Sequence, residues 1–103
     1  MYHIDKTYNL PTSTMTDDQW EALGQVYRTL PSFLGAPGDH CPSWFGLEPE
    51  DESEMTPYLV ASVEPSGLQV SGYLEYAVWK EWDRAFMERA TAALGFSVRD
   101  ASA

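Results

Sequence analysis

Tyr58-Leu59-Val60-Ala61-Ser62-Val63-Glu64-Pro65-Ser66-Gly67-Leu68-Gln69-Val70-Ser71-Gly72-Tyr73 is the stretch that decides the fold. Leu59, Ala61 and Val63 alternate with polar or small residues, which is the period of a half-buried strand. Pro65-Ser66-Gly67 is a tight-turn signal, and Leu68 and Val70 return on the same face. The stretch is therefore predicted to be an antiparallel hairpin with one apolar side.

Downstream, Trp79, Trp82, Phe86, Ala90 and Ala93 recur at helical spacing between about Glu75 and Leu94. Gly95 stands where a helix-ending glycine belongs. Phe96 to Arg99 reads as a last short strand. Upstream, Glu48 to Glu54 is an acidic segment in which Pro49, with Pro57 just beyond, discourages regular structure, so an exposed loop is expected. Ser43 to Leu47 reads as a short strand. Residues 31–43 carry Pro31, Gly35, Pro37, Gly38 and Pro42 and read as a loop.

The first helix is announced by Thr16, with Gln19 completing a capping box and Asp17 and Asp18 at the positive end of the dipole. Trp20, Leu23, Tyr27 and Leu30 form its apolar stripe, and Pro31 ends it. At the amino end, Tyr2, Ile4, Lys6, Tyr8 and Leu10 share one face of a strand. The predicted order is β-α-β-β-β-α-β over residues 1–103, a single α+β domain. Two helices on one face of a mostly antiparallel sheet form a two-layer sandwich, ferredoxin-like or related.

The 103 residues suffice for one core, and 44% hydrophobic with 14% aromatic residues is the composition of a folded chain rather than an acidic tail. The formal charge is −10. Such a balance argues against direct binding to nucleic acid or to anionic membranes, both of which need a cationic footprint. No apolar run approaches a membrane span and no secretory leader is visible. Cys41 is the only cysteine, which excludes an internal disulfide. A reducing, cytoplasmic location is expected.

The charge is uneven. No Lys or Arg lies between Arg28 and Lys80, a stretch that carries Asp39, Glu48, Glu50, Asp51, Glu52, Glu54, Glu64 and Glu75. Such a segment repels itself unless it is well solvated or meets a basic partner. Trp44, Phe45 and Tyr58 flank its densest part without following a helical stripe. They read either as core or as apolar anchors beside a charged rim. Trp44, Phe45, Glu48, Glu50, Asp51, Glu52, Glu54 and Tyr58 are accordingly the candidate partner-binding residues.

Chemistry has weaker support. His40 and Cys41 are sequence neighbours with no orienting third group, so they make a poor nucleophile and base. Glu64 and Glu75 are candidates for a carboxylate pair only if they face one another. Two histidines and one cysteine give no zinc spacing, and the acidic run lacks the alternating ligands and central glycine of a calcium loop. No cofactor motif is present, and no catalytic, cofactor or metal residue is assigned. A non-enzymatic binding protein is expected.

Cys41-Pro42-Ser43-Trp44-Phe45-Gly46, Leu59 to Val70, Trp79, Trp82, Phe86 and Ala93 to Ala101 together resemble the small, acidic, single-domain immunity proteins encoded beside bacterial polymorphic or contact-delivered toxins. The resemblance covers the last two-thirds of the chain, and no site residue is carried over from it. It implies a cytoplasmic antidote that binds one toxin domain, often a nuclease with a basic active-site cleft, and blocks it; separately, a monomer or homodimer is expected. The alternatives are an acidic DNA-mimic or anti-defence protein and a small enzyme using His40 and Cys41 or a carboxylate pair. A DNA mimic would spread carboxylates over a whole face, whereas this chain concentrates them in one segment.

Overall fold

The computed structural model describes residues 1–35, 41–49 and 56–101. Two helices and a five-stranded antiparallel sheet make an α+β fold. The elements are β1 (Tyr2–Tyr8), α1 (Asp17–Thr29), β2 (Phe33–Gly35), β3 (Ser43–Trp44), β4 (Tyr58–Glu64), β5 (Gly67–Leu74) and α2 (Tyr76–Leu94). Across the sheet the order is β1-β5-β4-β3-β2. The amino-terminal strand therefore lies at one edge, beside the second arm of the hairpin.

The hairpin forms as the alternation requires. Tyr58 pairs with Tyr73, Val60 with Ser71, Ser62 with Gln69 and Glu64 with Gly67. On β1, His3 faces Tyr73 and Asp5 faces Ser71. With a period of two, Ile4, Tyr8, Leu59, Ala61, Leu68, Val70 and Leu74 then share one side, and all are buried. Trp44 joins them through its pairing with Leu59.

Both helices cover that side. In α1, the Thr16 hydroxyl accepts from the Gln19 N–H and the Gln19 side chain accepts from the Thr16 N–H, so the capping box is complete. Leu23, Val26 and Tyr27 are its buried residues. In α2, Trp79, Trp82, Ala85, Phe86, Ala90 and Leu94 face inward, whereas Ala93 is exposed. Gly95 ends the helix at φ 81°, a left-handed conformation that glycine adopts without Cβ strain.

Aromatic rings tie the layers together. Trp44 meets Tyr27 at 5.3 Å and Trp82 at 5.0 Å, both edge-on, and Tyr8 lies 4.7 Å from Phe86. The Trp44 Nε1–H donates to the Tyr27 carbonyl at 3.2 Å, so this buried indole is satisfied.

Three local details differ from the sequence expectation. Phe33–Gly35 is a strand within the expected loop, paired to β3 with a register irregularity. The strand expected over Ser43 to Leu47 stops at Trp44, because Phe45 takes φ 70° and leaves the extended region. The expected last strand is reduced to one bridge, Tyr8 to Asp100, flanked by Asn9 N–H to Arg99 C=O and Ala101 N–H to Thr7 C=O.

Candidate functional site

The helices leave one side of the sheet open, and the register decides what stands there. His3, Asp5 and Thr7 of β1 lie beside Tyr73, Ser71 and Gln69 of β5, then Tyr58, Val60 and Ser62 of β4. The first row is aromatic across three strands. His3 and Tyr73 rings lie 5.0 Å apart, and Tyr73 and Tyr58 lie 6.1 Å apart. The second row is anchored by Gln69, whose Nε2–H donates to Asp5 Oδ1 at 2.9 Å. At the hairpin end the Ser62 hydroxyl donates to Glu64 Oε1 at 2.8 Å.

Glu48 acts on the aromatic end of this surface. Burial raises the Tyr58 phenol above its ordinary pKa, and the negative charge of Glu48 and then the neighbouring Tyr73 raise it further. Tyr58 stays neutral and can donate a hydrogen bond from the margin of the open side.

The distribution of cations is the complement. Lys6 points to the core side, where its Nζ donates to Asp83 Oδ1 at 2.8 Å. Arg28 is on α1, Lys80, Arg84 and Arg89 are on α2, and Arg99 follows α2. No Lys or Arg belongs to the open side, so Asp5, Glu48 and Glu64 have no ion-pair partner among the described residues.

The predicted contact residues separate accordingly. Tyr58 and Glu48 come together at the margin of the open side, where Glu48 is exposed and Tyr58 is buried. Phe45 is partly buried against the core, and its N–H bonds the Ser32 carbonyl. Trp44 is corrected from a candidate anchor to core: it is 0% exposed, because strand alternation turns its indole inward under both helices. Glu50, Asp51, Glu52 and Glu54 lie outside the described residues, as does His40. Cys41 is half-buried and free.

Glu64 and Glu75 do not form a carboxylate pair. Glu64 faces Gly67 at the start of β5 and Glu75 follows its end, so the whole strand separates them. At ~3.3 Å per residue that is roughly 20 Å or more. Among the described residues no group of His, Cys, Asp and Glu is arranged to hold a metal ion.

A second polar cluster lies on the helical side. Asp83 Oδ1 accepts from Lys6 and from the Tyr8 hydroxyl at 2.6 Å, with both partners of the ion pair largely buried. Desolvation, and next the hydrogen bond to Asp83, push the Tyr8 phenol far above its ordinary value. An open cleft of about 240 Å³ beside this cluster is lined by Tyr2, Ile4, Lys6, Tyr76, Lys80 and Asp100. With two donors on one oxygen, Asp83 serves as the buried counter-ion that lets Lys6 sit in an apolar face.

Sequence reasoning missed His3, Asp5 and Tyr73 on the open side and Lys6 with Asp83 on the other. The signals were present. Counting outward from the Pro65-Ser66 turn places Tyr73 opposite Tyr58. Lys6 and Asp83 each interrupt an apolar stripe, as expected of charges that pair inside. No family model, curated protein or solved structure matches this chain. Among the described residues no helix is long and apolar enough to cross a membrane.

Proposed function

We propose that this protein is an immunity-type antidote that binds and neutralises a toxin domain bearing a cationic surface. The observation that carries this is the segregation of charge: every Lys and Arg lies in the helical layer, in its connections or inward, while the open side of the sheet carries acids alone. Asp5, Glu48 and Glu64 define that side, and Glu50, Asp51, Glu52 and Glu54 follow Glu48 closely in sequence. Negative potential concentrated in this way steers a cationic cleft toward the molecule. His3 and Tyr73 offer rings for the desolvated centre of the contact, with the buried Tyr58 behind them at 8% exposure. Inhibition follows from covering the cleft, with carboxylates standing where substrate phosphates would lie.

The test uses the product of the adjacent gene. Its carboxy-terminal domain, expressed alone, should arrest growth, and co-expression of this chain should relieve the arrest. Replacing Glu48, Glu50, Asp51, Glu52 and Glu54 together by lysine should slow association at least about tenfold and flatten its salt dependence. An adjacent product that is harmless, or that binds the reversed variant equally well, would overturn the proposal.

A further inference from the structure

β1 is an edge strand, and only part of its outer edge is used. Thr7 C=O accepts from Ala101 N–H at 2.8 Å and Asn9 N–H donates to Arg99 C=O at 3.0 Å, so the odd-numbered residues point their main-chain groups away from β5. By the alternation of a strand, those of His3 and Asp5 point outward too. Among the described residues nothing bonds them. Natural sheet edges are normally covered, bulged or charged, because a row of such groups is a template for another strand.

The surroundings of this edge are shaped for a side chain from outside. The cleft between β1 and α2 runs alongside it. Tyr2 and Tyr76 meet edge-on at 5.0 Å at its mouth, and they are 46% and 55% exposed. On the other side of the strand the exposed carboxylate of Asp5 belongs to the acid-only surface. Residues 99–101 already lie antiparallel on the same edge, so β1 accepts a strand in this orientation.

We propose that the free edge of β1 receives an extended, lysine- or arginine-bearing segment of a protein partner as an added antiparallel strand, bonded to the main-chain groups of His3 and Asp5. The inference rests on the antidote reading and names how its partner is held. Alternate side chains of the added strand fall on the two sides of the sheet: cationic ones beside Asp5, uncharged ones beside the polar cleft that Tyr2 and Tyr76 border. A second copy of this chain is the disfavoured occupant, because each copy brings a charge of −10.

The probe is a capped heptapeptide, Thr-Lys-Val-Lys-Val-Lys-Thr, added to the full chain. Amide exchange at His3 and Asp5 is read by NMR. In the free chain both amides should exchange fast, and at saturation they should slow by about tenfold or more. Peptides N-methylated along one edge should lose at least about fivefold in affinity, while those methylated along the opposite edge should bind as the parent does. Slow exchange in the free chain would mean that the edge is already filled, and would overturn the inference. So would unchanged exchange at saturation, or equal binding by both methylated sets. If in that case signals of Ser62, Ser71 and Tyr73 still move, the acidic surface stands and only the edge fails. If the glutamate counterpart of the peptide binds equally well, the charge reading fails with it. Self-association of the free chain that buries His3 would assign the edge to a second copy and overturn the proposal.

Discussion

Gly72 sits in the middle of β5 at φ 155°, where a Cβ would run into the Tyr58 carbonyl on the neighbouring strand. The obstacle is backbone, which cannot swing aside as a flexible side chain would. Gly72→Ala is therefore expected to cost about 3 kcal/mol, read as a lowered urea midpoint at unchanged slope. Asp83 presents a different residue-scale dependence. Asp83→Ala strands the Lys6 ammonium and the Tyr8 hydroxyl together and should cost about 3 kcal/mol. Replacing Lys6 by Met and Asp83 by Leu at once should recover much of that loss, because apolar groups of similar volume need no counter-charge. If the double variant is no more stable than Asp83→Ala, the ion pair is not the cause.

At the scale of elements, the capping box of α1 is the plainest test. Thr16→Ala removes the acceptor for the Gln19 N–H and should lower stability by about 1 kcal/mol, measured by equilibrium unfolding. The same scale shows what the sequence could disclose. The helices, the hairpin and β1 were legible because each repeats its apolar period over seven residues or more, enough to outweigh a misplaced residue such as Ala93. β2 and β3 were not legible in their true extent. They are three and two residues long, too short for any period to register. Ser32 at φ 59° and Phe45 at φ 70° bound them with backbone that these residue types rarely adopt. The candidate site was legible in half. The deficit of cations was plain. Trp44 misled because it adjoins the acidic segment in sequence, while alternation against Leu59 sends it inward. His3 and Asp5 could be placed only once the sheet order set β1 beside β5, which no local pattern encodes.

The whole molecule carries a net charge of −10, and its response to solution conditions should reflect that. Like charges on the open side repel, so salt should raise the urea midpoint modestly between about 10 and 300 mM as screening tightens. Alkaline pH should act in the opposite sense. The Tyr8 and Tyr27 phenols are both raised above their ordinary value of 10.0, chiefly by burial. Above about pH 10 the unfolded chain releases these protons and the folded chain keeps them. Stability is then full below that pH and falls as pH rises, by up to about 1.4 kcal/mol per pH unit for each phenol. Urea midpoints between about pH 9 and 11 should show the decline, and joint replacement of Tyr8 and Tyr27 by Phe should flatten it.

The placement of β1 against β5 also governs how this chain can be made. Tyr2–Tyr8 is synthesised well before its partners: its hydrogen-bonding neighbour is Gly67–Leu74 and its apolar cover is α2. During translation this strand must wait, with Ile4 and Tyr8 wet, until β5 and α2 have left the ribosome. The hairpin, closed by a two-residue turn, can zip long before. Docking of β1 onto the sheet is thus a late step, and the nascent fold is most vulnerable to chaperone capture and mispairing at this strand.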